Sequence, residues 1–411
     1  MTVQGGIRSI LRNGSLVAGS AWIETMLRVF YIIMITRYLG SEGYGLWSYS
    51  VTVSGFILGF VVFGFEAVIY YSYGKSNEQG DKIVRTALFL RLIAASIGTV
   101  VLAAYALLAA PVEAVPGLMI LLPLILGKGI VEIVRSAYIA RQNVRRYFPT
   151  SVVFRLIEIL SGMVLLWAGS GILAILAVHM LSYAGESVRG LYLLRTDYGI
   201  GITQPDQEAA KDLLRKGAPM AAINIGIGYL FAAPILYFGW LVSDFGQLGE
   251  LSIALQIATM LLTLFDMFLL SAIPVVAHGD ARGDTRLVYY GALLAVLILL
   301  SFGMISILLS YLAAPLLFIL LGEGHLLAAE LTVPAAVMAM MYLLPVGYHQ
   351  VLVVRQRHAG LLFPTYAACG VMTAGMIAMG RDLSPQSVIW IACLAWGVRA
   401  IALIAVSIRE K

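Results

Sequence analysis

The sequence predicts an all-α integral membrane protein: twelve transmembrane helices in two six-helix lobes, arranged as parallel repeats around a central cavity. Three observations carry that expectation. Of 411 residues, 61% are hydrophobic and only 12% are charged, whereas a soluble domain carries about a quarter charged residues; a bilayer has to be the solvent. Lysine and arginine alternate between the ends of successive apolar runs. A feature of the first half recurs in the second.

Crossing about 30 Å of hydrocarbon takes about 20 apolar residues of helix, and twelve runs qualify. The first six are 14–38, 45–73, 83–110, 117–140, 150–169 and 171–195; the second six are 217–242, 248–276, 287–321, 328–353, 360–379 and 385–407. Runs 2, 8 and 9 exceed the bilayer's need, which implies tilt, a kink or an overhang. The first run is too long for a removable signal peptide and lacks a small-residue cleavage site. Cys369 and Cys393 lie inside apolar runs and read as small buried hydrophobes.

One set of helix ends carries Arg8 and Arg12; Lys75, Lys82 and Arg85; Arg141, Arg145 and Arg146; Arg195, Lys211, Arg215 and Lys216; Arg282 and Arg286; Arg355 and Arg357; Arg409 and Lys411. The opposite ends carry only Arg37 and Arg381. The positive-inside rule then places both termini in the cytoplasm. The net charge of +5 is a topology signal and does not point to nucleic acid. Residues 196–216 form the largest loop, dividing a lobe at 1–195 from one at 217–411. Its second part, PDQEAAKDLLRK, has proline then Asp206 at a helix start, acids early and bases late, so a short capped helix along the headgroups is expected before run 7.

The repeat appears when ITRYLGSEGYGLWSYS (35–50) is shifted by 204 residues onto SDFGQLGELSIALQI (243–257): Gly45 meets Gly249 and Ser48 meets Ser252. In both places the chain turns from an external loop into an even-numbered helix. Each half has an even number of helices, so the copies are parallel, an arrangement whose substrate site lies between the halves.

Thirteen charges fall within the spans: Arg28, Arg91, Lys128, Arg135, Arg155, Arg189 and Arg399, with Glu24, Glu66, Glu132, Glu158, Glu186 and Asp266. Facing lipid, they would cost roughly 40 kcal/mol at about 3 kcal/mol each, so they must face one another or water. Spacing predicts local pairs Glu24–Arg28, Lys128–Glu132, Arg155–Glu158 and Glu186–Arg189. At 1.5 Å per residue, Arg28, Lys128 and Arg399 sit roughly 15–21 Å from their helix starts, near mid-bilayer, with Arg91 closer to the cytoplasm. These four are the candidate cavity cations. Glu24, Glu66 and Asp266 are the candidates for coupling to an H+ or Na+ gradient. The second half instead concentrates Pro234, Pro274, Pro315, Pro334, Pro345 and Pro364; Pro234 and Pro345 are hinge candidates.

No catalytic pattern emerges. His179, His278, His325, His349 and His358 are scattered without metal-ligand spacing on one helix, and no phosphate loop or serine elbow is present. No metal or cofactor is expected.

RYLGSEGYGLWSYS resembles the R-x-L-G, three residues, Y-G-L-x-S junction of the polysaccharide and O-antigen flippases, the Wzx-type branch of the multidrug/oligosaccharidyl-lipid/polysaccharide (MOP) exporter superfamily, whose fold is MATE-like. FGFEAVIYYSYGK (63–75), LGELSIALQI (248–257) and LFILLGEGHLLAAELTV (317–333) are similar to further turns of that family. Phe63 stands where the family usually has aspartate, and YLFAAPILYFGW (229–240) lacks the acid often found late in helix 7. The resemblance implies movement of a polyprenyl-diphosphate-linked oligosaccharide across a prokaryotic plasma (inner) membrane, alongside membrane lipids, glycan polymerase or glycosyltransferases. Arginine matches phosphate as a fork. The alternatives are a lipid-linked peptidoglycan-precursor flippase, a drug or cation antiporter of the same fold, and a non-transporting scaffold of a glycan-synthesis complex.

Overall fold

The computed structural model describes the backbone of residues 3–281, 287–322, 324–354 and 357–409. It describes side chains at 19, 22–263 and 293–407, apart from 295, 323, 350, 351, 353–356 and 358. Fourteen α-helices account for the chain among the described residues: α1 Val3–Val62, α2 Phe65–Lys75, α3 Asn77–Leu108, α4 Val115–Ile120, α5 Leu122–Ala140, α6 Val144–Trp167, α7 Ile172–Tyr198, α8 Gln207–Leu241, α9 Phe245–Ala281, α10 Leu287–Leu321, α11 Leu326–Leu343, α12 Val346–Val354, α13 His358–Met379 and α14 Pro385–Arg409. Ten are long and apolar enough to cross a membrane, or eleven when Val112–Ala140, bent by 46°, is taken as one span. The chain is a multi-pass membrane protein.

The boundaries depart from expectation at identifiable places. Runs 1 and 2 are two helices joined across a kink at Gly40, whose φ of 69° and ψ of −177° are non-helical; no multi-residue loop separates them. The apolar part, Trp22–Val62, is 41 residues long, about 60 Å of helix and twice a bilayer core. Run 2 ends early at Phe63 and Gly64, both left-handed at φ 47° and 63°, and α2 begins anew. Run 10 divides into α11 and α12 at Leu344 and Pro345, where proline cannot donate to the ladder. The expected separate interfacial helix is continuous with run 7 in the 35-residue α8. Its cap is as expected: Asp206 Oδ1 accepts from the Ala209 amide at 2.8 Å, and Oδ2 lies 3.0 Å from Lys82 Nζ.

The chain forms two compact units, Met1–Leu39 with Ser50–Ile225, and Gly40–Tyr49 with Gly226–Lys411. In the first, α5 packs on α7, α3 and α2, and α6 packs on α7. Small residues set these approaches. A Cβ on Gly127 would stand 3.2 Å from the backbone of Tyr183 and Ala184, so α5 rides directly on α7. In the second unit α11 packs against α9, α10 and α14, and α13 against α14.

The repeat has a structural counterpart within the second unit. A Cβ on Gly45 would collide with the carbonyl of Phe245, and one on Gly249 with the carbonyl of Ser41. Position 41 shifted by 204 is 245, so the two contacts are each other's image, the reciprocity expected of a two-fold relation. Neither site has room for a side chain.

Alanine at Gly45 or Gly249 is therefore expected to lower the yield of monodisperse protein and its thermal midpoint, at a cost of about 3 kcal/mol or more. Gly55→Ala, with nothing within 4 Å, serves as the control and is expected to be silent. The Ala209 amide and then Lys82 hold the Asp206 carboxyl below the usual carboxylate range. Its contribution to the α8 start is present above the ordinary carboxylate pKa and is lost as pH falls through the lowered value. The protection of the amides at 207–212, taken relative to their intrinsic exchange rates, is expected to fall on acidification, and Asp206→Asn to abolish that dependence.

Candidate functional site

The polar interior of the first unit is assembled from six helices, and tertiary pairing, rather than spacing along one helix, decides most of it. Glu24 does not pair with Arg28. Arg135 Nη2 donates to Glu24 Oε1 at 2.9 Å and Oε2 at 3.1 Å, and also lies 2.9 Å from Ser151 Oγ, whose hydroxyl in turn donates to Glu24. Arg28 is left exposed, with no ion pair among the described residues.

The Arg155–Glu158 pair forms as its spacing predicts, at 2.5 Å. The same guanidinium reaches Glu186 Oε2 at 3.1 Å, so Glu186 is paired with Arg155 and not with Arg189. Arg189 is exposed, lying 5.2 Å from the Tyr192 ring centre. Glu158 and Glu186 are both buried and take further bonds from His179 Nδ1 at 2.6 Å and the Tyr147 hydroxyl at 2.8 Å. A single guanidinium holding two buried carboxylates with every oxygen engaged meets the condition for burying charge at all.

Lys128 also departs from its expected partner. It shows no ion pair to Glu132 among the described residues; its ammonium lies 5.3 Å from the Tyr183 ring centre, and Arg155 stacks on that ring at 3.8 Å. The contact follows from Gly127, which lets α5 sit against the backbone at Tyr183. Lys128 is half-buried, an ammonium on an aromatic face.

Arg91 is fully buried and does not face an open chamber. Its Nη2 donates to the Val62 carbonyl at 2.9 Å, and the guanidinium lies 5.3 Å from the Phe65 ring. The positive φ values at Phe63 and Gly64 end the α1 ladder, so Val62 has lost its helical partner; Arg91 supplies one. Its electrostatic neighbours are Glu132 and Glu66, and Glu66 in turn feels Glu132, Arg91 and Arg135.

Arg399, in the second unit, is buried. Nε donates to Thr365 Oγ1 at 3.2 Å, Nη2 meets His349 Nδ1 at 3.3 Å, and no carboxylate joins it among the described residues. The side chain of Asp266 lies outside the described residues. Sequence reasoning missed Glu250: it is buried, bonds His325 Nδ1 at 2.8 Å and accepts from the Ala328 amide at 3.1 Å, capping α11 as a carboxylate at a helix start. Its signal was the acid inside LGELSIALQI. The roles of His179, Tyr147 and Tyr183 had no sequence signal, because their partners are remote in the chain. Among the described residues no group of three histidine, cysteine or carboxylate side chains could hold a metal.

Residues 10–279 match the profile described as "Polysaccharide biosynthesis protein". No curated protein matches the sequence. Several solved structures share the fold, three of them as follows. An inward-facing multidrug resistance MATE family transporter of the MOP superfamily is similar with a TM-score of 0.74, at 14% identity over 94% of each chain. The lipid II flippase MurJ, in an inward closed conformation, has a TM-score of 0.74 at 13% identity, over 94% of this chain and 86% of that one. A MOP superfamily transporter from Pyrococcus furiosus, whose binding pocket is described as of reverse polarity, has a TM-score of 0.62 at 15% identity, over 98% and 95%.

Arg155→Met would strand two buried carboxylates, and a loss of about 3–5 kcal/mol is expected on the scale of broken buried pairs, read as a lowered thermal midpoint. Adding Glu158→Gln and Glu186→Gln is expected to recover much of it.

Proposed function

The chain belongs to the polysaccharide biosynthesis protein family, and from that premise we propose that it is a flippase carrying a polyprenyl-diphosphate-linked oligosaccharide across the plasma membrane by alternating access. The observation that carries the reading is the pairing pattern of the first unit. Glu24, Glu158 and Glu186 are held by the guanidiniums of Arg135 and Arg155, and Arg91 is committed to the Val62 carbonyl, whereas among the described residues Arg28 and Lys128 have neither an acid nor a carbonyl on them. Arg399 is in the same condition in the second unit. Unneutralised cations on helices of a membrane protein suit a diphosphate, which cannot enter hydrocarbon without its charge being met.

Arg91, proposed from sequence as a fourth cavity cation, is better read as the support of the α1–α2 break. A cation antiporter would need uncommitted acids; Glu24, Glu158 and Glu186 are committed, which leaves Glu66 and Glu132 among the described span acids. Coupling to a proton or sodium gradient stays part of the proposal through Glu66 and Asp266. So do cytoplasmic termini and association with a glycan polymerase or glycosyltransferases.

The test is flipping of a polyprenyl diphosphate oligosaccharide in proteoliposomes. Arg28→Gln and Lys128→Gln are each expected to slow it by about 10- to 100-fold, the value of a hydrogen bond to a charged group, with unchanged thermal midpoints. Arg189→Gln is expected to flip normally. Undiminished flipping by both Arg28→Gln and Lys128→Gln would refute the reading.

A further inference from the structure

Thr365, Cys369 and Thr373 recur every four residues along α13 and so share one face. That face meets α8 inside the second unit. Cys369 Sγ lies 3.5 Å from the Gly226 carbonyl oxygen, and a Cβ on Gly226 would press on Thr365 Cγ2 at 2.7 Å. The Tyr229 hydroxyl lies 2.5 Å from Thr373 Oγ1 and 3.2 Å from the Tyr237 hydroxyl. Thr373 also reaches the Cys369 carbonyl at 2.9 Å. At the far end of the stripe, Thr365 accepts from Arg399. The result is two threonines and a cysteine along one helix face, joined at Thr373 to the hydroxyls of Tyr229 and Tyr237 on α8, with a guanidinium at one end and no carboxylate on it among the described residues.

The line is unfinished at Tyr237. However the hydroxyl hydrogens of Tyr229 and Thr373 are ordered, Tyr237 makes one hydrogen bond among the described residues and keeps a donor or an acceptor unused by them, since a phenol offers both. Tyr229 and Tyr237 are half-buried, and Tyr237 packs edge-on to the exposed Trp240, with ring centres 6.5 Å apart. Hydroxyls are costly in an apolar surround unless bonded, and structure alone does not call for three of them in register beside two aromatic faces. Alternating donors and acceptors next to aromatic faces are the complement of a pyranose, which has hydroxyls at its rim and C–H groups on its faces. A cation would call for an acid here, and a bare phosphate for more than the one guanidinium.

We propose that Tyr229, Tyr237 and Thr373 form a sugar-recognition subsite of the second unit, reading the glycan attached to the diphosphate. The proposal rests on the flippase reading and assigns specificity within it. The α8 stretch that lacks an acid is thereby a stretch that discriminates among neutral groups. A subsite built to hydrogen-bond a hydroxyl rejects a ligand lacking it, because its own polar groups are then left unpaired.

The test uses the full chain in lipid nanodiscs and two probes, polyprenyl diphosphate carrying one N-acetylglucosamine and bare polyprenyl diphosphate. Tyr229→Phe, Tyr237→Phe and Thr373→Val are each expected to weaken the glycosylated probe about three- to tenfold, the range of a neutral hydrogen bond, and to leave the bare probe unchanged. Thr373→Ser, which restores the hydroxyl, is expected to bind as the parent does. Equal losses on both probes, or none on either, would overturn the subsite while leaving the flippase reading intact. If the parent protein binds neither probe but does bind tetraphenylphosphonium, the flippase reading falls and the subsite falls with it.

Discussion

The constraint on which the first unit depends is that charge in a membrane helix must be met by charge inside the protein. Arg155 meets it most completely, holding Glu158 and Glu186 together, with His179 and Tyr147 on the remaining oxygens. Arg135 does the same for Glu24 with the help of Ser151. Removing one member leaves Glu158 and Glu186 buried, so the network stands or falls as a set. The same logic gives the exceptions their meaning. Beside the acids held by Arg135 and Arg155, Arg28 and Lys128 have no ion pair among the described residues, and a ligand with opposite charge is the simplest partner.

The two units handle polarity differently. The first concentrates ion pairs across α1, α5, α6 and α7. Among the described residues the second carries one buried guanidinium, a capping carboxylate in Glu250, and a stripe of two threonines and a cysteine on α13. Prolines and broken helices accompany this: Pro345 separates α11 from α12, and His349, four residues later, is the imidazole that Arg399 meets. Arg91 in the first unit likewise sits at a break, bonding the freed Val62 carbonyl. At the first-unit break the arginine supports backbone that has left its ladder, the accommodation that irregular structure in a membrane requires; Arg399 instead bonds side chains, Thr365 and His349.

What could be read from sequence was whatever is local or periodic. Apolar runs gave the spans, Asp206 the start of α8, the Arg155–Glu158 spacing a real pair, and a 204-residue shift the mutually facing glycines 45 and 249. What could not be read depends on contacts remote in the chain. Glu24 and Arg28 are ideally spaced, yet Arg135 wins because it brings two donor contacts and a serine relay. Between runs 1 and 2 a single residue at positive φ, Gly40, suffices to interrupt the helix where a loop is expected. Lys128 was assigned to Glu132 by spacing, whereas the glycine beside it brings Tyr183 closer.

The account turns on which cations of the first unit remain available to an anion. The most direct measurement is an experimental structure of the full chain in a lipid nanodisc with a polyprenyl diphosphate oligosaccharide bound. The account predicts phosphate oxygens against Arg28 and Lys128, with Glu24 still held by Arg135. A diphosphate lodged away from both side chains, or Arg28 closed onto Glu24, would contradict it.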